Sequence, residues 1–256
     1  MTDLIMLLGI AETTLWHGAL VFLRVGAIMA VLPAFGSQSV PVRVRLALAV
    51  AFTLVVAPAV VPFAQGTPDI AILLRFLATE TLAGLALGIT LRLFVLALQT
   101  TGAIAANMTS LSQILGGAQT EPLPAMGQML VMGGLALVTL TGLHVQVAEF
   151  VILSYEVLPP GRFPLSSVMA EWGVARVAQA FWLAFTLAAP FAILSVLYNL
   201  TLGVINKAMP QLMVAFVGAP VITLGGLFLL CLASPLLLAL WAEALRGFLA
   251  NPFAGR

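Results

Sequence analysis

Residues 17–33 read HGALVFLRVGAIMAVLP, an apolar run interrupted near its middle by a single charged residue, Arg24. A charge near the centre of a bilayer costs about 2.5–3.5 kcal/mol on insertion scales, and such residues usually face a partner or water. Two explanations are open. Either this helix does not cross the membrane in a simple way, or Arg24 pairs with another charge inside an assembly. We therefore treat Arg24 as a candidate intra-assembly charge.

The whole chain is unusually apolar. Of its 256 residues, 62% are hydrophobic and 7% are charged, and the mean hydropathy is +1.17. Soluble domains carry about a quarter charged residues, so this chain has too little polar surface to coat a globule in water. The sequence predicts an integral membrane protein. Its net charge of +1 gives no indication of nucleic-acid binding.

The apolar residues fall into segments that approach or exceed the roughly 20 residues needed by a membrane-spanning helix. They are continuous and do not alternate with period two, which favours helices over a β-barrel. The predicted fold is therefore all-α, a multi-helix integral membrane protein with helical hairpins. Its predicted segments are 15–32, 46–63, 70–98, 126–152, 174–202 and 212–244.

The linkers between these segments are short, with one exception. The third linker, NMTSLSQILGGAQTEPLPA at 107–125, exceeds the 2–8 residues usual in helical bundles, and longer loops tend to be functional or disordered. The distribution of Lys and Arg favours odd-numbered linkers in the cytosol and both termini outside. Arg246 and Arg256 count against that orientation.

Three further charges lie within or beside the apolar segments. Arg75 and Arg92 are predicted to extend from helix ends towards the membrane surface. Glu80 follows Arg75 by five residues, which allows an internal pair without matching the favoured i, i+4 spacing.

Nothing in the sequence points to catalysis, a metal or a cofactor. The histidines, His17 and His144, have no cysteine or second histidine at ligand spacing, and His144 is predicted to anchor a helix end. The sequence contains no nucleophile elbow, phosphate-binding loop or dinucleotide fingerprint. Cys231 is expected to be a small buried hydrophobic residue.

Two side-chain patterns suggest helix contacts. Gly84 and Gly88 form a small-xxx-small face, which suits packing within the chain and contact with another subunit equally. Met126, Met129 and Met132 form one stripe. Core packing is the default interpretation of this stripe, and a seal around a pore is the alternative.

Three stretches resemble the FliR family in the expected order: FLRVGAIMAVLPAFGSQSVPVRVRLALAVAFTLVVAP (22–58), TGLHVQVAEFVILSYEVLPPG (141–161) and LGVINKAMPQLMVAFVGAP (202–220). Together they extend over nearly the whole chain. Members of this family are the single-copy export-gate subunits of flagellar and virulence type III secretion systems. The resemblance implies a channel subunit that exports unfolded flagellar proteins, located in the bacterial inner membrane at the flagellar basal body.

The resemblance also implies partners and sites. The expected partners are FliP-like, FliQ-like, FlhB-like and FlhA-like proteins, with subunits held partly above the bilayer plane. A single FliR-like membrane domain, 1–256, would join a FliP-like portion (1–185) to a FliQ-like hairpin (186–256). The cytosolic turn of that hairpin would comprise Asn206, Lys207, Pro210 and Gln211. The third linker would enter the pore as a plug formed by Thr109, Ser110, Leu111, Ser112, Gly116 and Gly117.

Other functions remain open at this point. The chain could serve a virulence injectisome, carry small solutes, or act as an intramembrane enzyme. A carrier would show paired interrupted helices, and an enzyme would show a convergent nucleophile, base or metal ligands. For the export gate, we expect the isolated chain to be unstable, because its buried charges and small-residue faces would lack partners.

Overall fold

The structure, a computed structural model, describes residues 2–33, 40–62, 69–109, 125–209 and 214–253. All regular structure in these ranges is helical, which confirms the predicted all-α fold. The helices are α1 (Thr2–Val31), α2 (Val42–Val56), α3 (Ile70–Thr109), α4 (Ala125–Leu140), α5 (Leu143–Val157), α6 (Ser166–Ala208) and α7 (Val214–Ala250), with a 3-10 turn at Ala57–Ala59.

The number of possible membrane spans agrees with the prediction. Five described helical segments are long and apolar enough to cross a membrane, and the interrupted pair of α4 and α5 would make a sixth. The five are Leu8–Val31, Val42–Ala59, Ile70–Met108, Ser166–Ala208 and Val221–Ala250.

Several helix boundaries differ from the prediction. The 126–152 segment is not one helix, because it breaks at Gly142, whose φ of +85° lies in the left-handed region that suits glycine. Helix α3 has 40 residues and α6 has 43, twice the length needed to cross the hydrocarbon core. Apolar composition alone does not mark where such helices end.

Helix α6 extends further than predicted. Asn206 and Lys207 are helical and exposed in the last turn of α6, which ends at Ala208, so their assignment to the turn was wrong. Pro210 disfavours helical geometry in the residue before it but not further back, and a lysine suits the negative end of a helix. Pro210 and Gln211 lie outside the described residues.

The chain divides into two compact units, which we describe separately. Unit 1 comprises Met1–Leu93, Thr139–Val177 and Leu245–Arg256. In this unit α3 lies against α1 at Gly84, where an added Cβ would be 2.5 Å from the Arg24 carbonyl oxygen and 2.8 Å from the Ala27 Cβ. At Gly88 the nearest atoms belong to Ile28 and are 3.2 Å away. The small-residue face therefore packs within the chain.

Unit 2 comprises Phe94–Val138 and Ala178–Ala244. Here α3 and α4 meet at two glycines, since a Cβ on Gly102 would collide with the backbone of Gly127. The buried Trp241 of α7 donates its ring N–H to the Phe94 carbonyl at 2.8 Å. The Thr101 hydroxyl reaches the Ala184 carbonyl at 3.2 Å, which links α3 to α6.

Many large apolar side chains point outward, as expected of a protein surrounded by lipid or partner subunits. On α6, Trp182 is 70% exposed. The methionine stripe is divided, with Met126 buried but Met129 and Met132 62% and 71% exposed, so core packing is wrong for these two. Cys231 is also exposed and was wrongly expected to be buried. Apolar character does not predict burial here, because the surroundings are themselves apolar.

Candidate functional site

Unit 1 is built around a buried ion pair between α1 and α3. The Arg24 guanidinium meets the Glu80 carboxylate through two hydrogen bonds, from Nε to Oε2 at 2.9 Å and from Nη2 to Oε1 at 3.2 Å. The two side chains are 1% and 0% exposed. This bidentate arrangement matches the planar donor fork of arginine to both oxygens of a carboxylate, and such pairs are stronger than neutral hydrogen bonds.

The remaining Arg24 donors reach a third element and the turn that follows it. Nη1 donates to the Ser154 hydroxyl of α5 at 3.1 Å, and Nη2 donates to the Leu158 carbonyl at 2.8 Å. The Ser154 hydroxyl donates in turn to the Val151 carbonyl at 2.6 Å, which leaves its oxygen free to accept from Arg24. The guanidinium carbon also lies 3.8 Å from the centre of the Tyr155 ring, within the range of a cation–π contact.

The turn after α5 is held by α3 as well. Glu80 accepts a hydrogen bond from the backbone of Gly161, and the Arg75 Nε donates to the Gly161 carbonyl at 2.6 Å. Gly161 has a φ of +69°, and a Cβ there would lie 2.8 Å from the Phe76 ring. The turn therefore requires a glycine for its backbone angle and for its close contact with the ring.

The energetics explain why these groups are saturated with partners. Two buried charges repay their desolvation only when the geometry is good and the remaining donors and acceptors are satisfied, and removing one partner costs about 3–5 kcal/mol. Arg24 and Glu80 meet this condition with partners from α1, α3, α5 and the turn. The cluster joins separate stretches of unit 1 at one point.

This arrangement revises the predictions for the charged residues. Arg24 finds its counter-charge in its own chain, so no other subunit is needed to neutralise it. Glu80 pairs with Arg24, and Arg75 binds the Gly161 carbonyl instead. Arg92 is exposed in the interior of α3 and not at a helix end.

The other predicted site residues do not join this cluster. Thr109 is the last residue of α3, and the remaining proposed plug residues, at positions 110–117, lie outside the described residues. Exposed His144 lies in the first turn of α5 and His17 bonds the Ala57 carbonyl at 2.8 Å. Within the described ranges, His, Cys, Asp and Glu residues form no group suited to a metal.

Sequence reasoning missed several members of the cluster. Ser154, Tyr155 and the Leu158 carbonyl carry no local signal, since they are ordinary residues in an apolar helix and its end. Gly161 stands in the PPG run at 159–161, which marks a turn but not its partner. The available clue was the sign of the charges. Glu80 is an acidic residue deep in an apolar segment, so it could have been matched with Arg24, the basic residue deep in another.

These features define a multi-pass helical membrane protein whose first unit is organised by a buried ion pair. The chain belongs to the bacterial export proteins, family 1, whose family model matches residues 15–248.

Curated relatives agree with this assignment. A flagellar biosynthetic protein FliR from Caulobacter vibrioides is 34% identical over 239 residues, covering 90% of this chain and 93% of that protein. Proteins of the same name from Aquifex aeolicus and Escherichia coli strain K12 are 31% and 29% identical. Each alignment covers 84% of this chain and, respectively, 84% and 83% of the relative.

Proposed function

We propose that this chain is the FliR-type export-gate subunit of a flagellar type III secretion system, required for export of unfolded flagellar proteins. The observation that carries the proposal is the 34% identity over 90% of the chain to a flagellar FliR protein. The proposed role is that of a channel component and not of an enzyme.

The flagellar system is favoured over the alternatives. The relatives at 27–34% identity are all flagellar proteins by name, which favours this system over a virulence injectisome. A small-solute carrier has weaker support, because the charged pair buried among the described residues of unit 1 is saturated by protein groups and offers no open ligand position.

Partners and location follow from this role as parts of the same proposal. The chain would assemble with FliP-like and FliQ-like subunits and contact FlhB-like and FlhA-like proteins, in the inner membrane at the flagellar basal body. The exposed apolar faces of α6 and α7 suit contact with such helical subunits or with lipid. Residues 1–185 would form the FliP-like portion and 186–256 the FliQ-like hairpin, with its turn after Ala208 on the cytosolic side.

The pore plug is a further part of the proposal, and it rests on the family resemblance and the length of the third linker. Thr109, Ser110, Leu111, Ser112, Gly116 and Gly117 would form it. The exposed Met129 and Met132 on α4 suit the interpretation as a pliable seal beside a pore better than they suit core packing.

Complementation tests the main proposal. The chain would be expressed in a motile bacterium whose own FliR gene has been deleted, and flagellin in the medium and swimming would be measured. We expect both to return. If the complex assembles with FliP-like and FliQ-like subunits but flagellin stays inside the cell, the flagellar assignment is wrong. Restored secretion of injectisome substrates, and not of flagellin, would support the alternative system.

Deletion of residues 111–117 tests the plug. The assembled complex, verified by co-purification, should then pass small ions across a lipid bilayer at a higher conductance than the intact complex. Unchanged conductance with intact assembly would reduce this linker to an ordinary loop.

A further inference from the structure

We propose that Arg24 and Glu80 are positioning residues for export: they set the conformation of the turn at Leu158–Gly161, beyond neutralising each other's charge. The expected effect on export rests on the proposed function. The effect of the pair on the turn can be tested without measuring export.

The geometry of the turn supports this role. Side chains from α1 and α3 bind its backbone at both ends. Arg24 binds the Leu158 carbonyl at 2.8 Å, whereas Glu80 and Arg75 bind the backbone of Gly161, with the Arg75 contact at 2.6 Å. The turn therefore depends on α1 and α3, which are distant from it in sequence.

The residues that follow the turn face outward. Arg162 and Phe163 are exposed, the latter by 58%, and α6 starts three residues further on at Ser166. Residues 162–165 connect the turn to α6, so the conformation of the turn sets where the chain begins its approach to that helix.

A buried pair needs partners for its remaining donors, but stability alone does not require those partners to lie in a turn that is distant in sequence. Replacing a buried ion pair with apolar residues of similar volume is often neutral or even stabilising. Such a replacement here would keep the packing between α1 and α3 and the Arg75 contact with Gly161, but it would remove the bonds from Arg24 and Glu80 to the turn. Arg24 also uses donors that its counter-ion does not need, on Ser154 and Leu158.

Three variants separate the two roles. Arg24→Lys keeps the positive charge but loses the planar fork, and the three donors of lysine cannot make the four hydrogen bonds that Arg24 makes to Glu80, Ser154 and Leu158. The double variant Arg24→Met with Glu80→Leu removes the charges and keeps apolar volume. Ser154→Ala is a milder change that removes one acceptor.

The matched control is Thr53→Val in α2. Thr53 is buried in the same unit, and its hydroxyl donates to the Ala49 carbonyl of its own helix at 2.7 Å. This substitution removes a buried polar group without touching the turn.

The first readout is limited trypsin digestion of the full chain, purified in detergent with its partner subunits. Cleavage after Arg162 reports opening of the turn, because proteolysis requires a locally unfolded backbone. We expect Arg24→Lys and the double variant to raise the cleavage rate about ten-fold, and Thr53→Val to leave it unchanged. A rate equal to that of the wild-type protein in both variants would overturn the proposal.

The second readout is flagellin export divided by the amount of assembled complex in the same cells. We expect this ratio to fall about ten-fold in Arg24→Lys and the double variant, and less in Ser154→Ala. If export merely follows the amount of complex, the pair is structural only and the positioning role is wrong. A wild-type chain that restores no export would instead refute the proposed function, while the trypsin result would still decide the role of the pair in the turn.

Discussion

A single methyl group at Gly84 should loosen the contact on which the buried ion pair depends. The Cβ of Gly84→Ala would lie 2.5 Å from the Arg24 carbonyl oxygen, whereas real Cβ atoms essentially never come closer than 3.0 Å to another heavy atom. Backbone atoms cannot rotate away, so α1 must move from α3 by about 0.5 Å or more at the residue that carries the guanidinium. The change therefore strains the Arg24–Glu80 hydrogen bonds of 2.9 and 3.2 Å as well.

Two opposing terms set the size of the effect. Overpacking a well-packed contact costs about 1–3 kcal/mol, whereas alanine in place of glycine inside a helix gains up to about 1 kcal/mol. We expect a net destabilisation of about 1–2 kcal/mol. For a chain of this length, that lowers the unfolding midpoint by about 2–8 °C.

The assay is thermal loss of the monodisperse peak in size-exclusion chromatography of the detergent-purified protein carrying a fluorescent tag. Gly26→Ala in α1 is the control, because its Cβ would meet the Phe22 ring at an ordinary 3.7 Å. We expect this control to be neutral or slightly stabilised. A Gly84→Ala midpoint at or above that of Gly26→Ala would refute the reasoning from the close approach of α1 and α3.

Three further substitutions test individual contacts by the same assay. Gly161→Ala should cost at least about 1–2 kcal/mol, since its φ of +69° strains a side chain and the Phe76 ring lies 2.8 Å from the new Cβ. Trp241→Phe should cost about 1–3 kcal/mol through loss of the 2.8 Å hydrogen bond and of packing volume. Ser195→Ala should cost about 0.5–1.5 kcal/mol, because the serine hydroxyl donates to the Met108 carbonyl near the end of α3 at 3.0 Å.

Each of these has its own contradicting result. An unchanged midpoint for Gly161→Ala would mean that the turn relaxes freely. Equal stability of Trp241→Phe and the wild-type protein would show that the Phe94 carbonyl finds another donor. A loss for Ser195→Ala that matches Thr201→Val, whose exposed hydroxyl bonds its own helix, would remove any special role for the Met108 contact.

The buried pair changes the expectation for the isolated chain. Instability without partners was predicted because Arg24 and the Gly84 face would be unmatched, yet both are matched within unit 1. Any dependence on partner subunits must instead come from the large exposed apolar faces, such as that carrying Trp182. Co-expression with FliP-like and FliQ-like subunits should therefore improve solubility in detergent more than it changes the stability of the ion-pair cluster.

The sequence by itself determined the class of the protein and the position of its unexpected charge, Arg24. Apolar content and segment length decide membrane insertion residue by residue, so the all-α fold and the approximate number of spans needed no tertiary information. The same energetics singled out Arg24, since a charge in an apolar helix is costly wherever the helix lies. The family resemblance followed from short local patterns in the expected order.

Only the tertiary structure decided how that charge is neutralised. Glu80 is 56 residues from Arg24 in sequence, and local spacing rules compare residues within a few positions, so they offered Arg75 as a possible partner of Glu80 without favouring it. The pairing exists because Gly84 lets two helix backbones approach closely one turn from Glu80. Likewise, the helix break at Gly142 depends on a backbone angle, and the hydrogen bonds to Gly161 depend on residues distant in sequence. Hydropathy describes neither. Composition sets the cost of a buried charge, but packing geometry selects the group that offsets it.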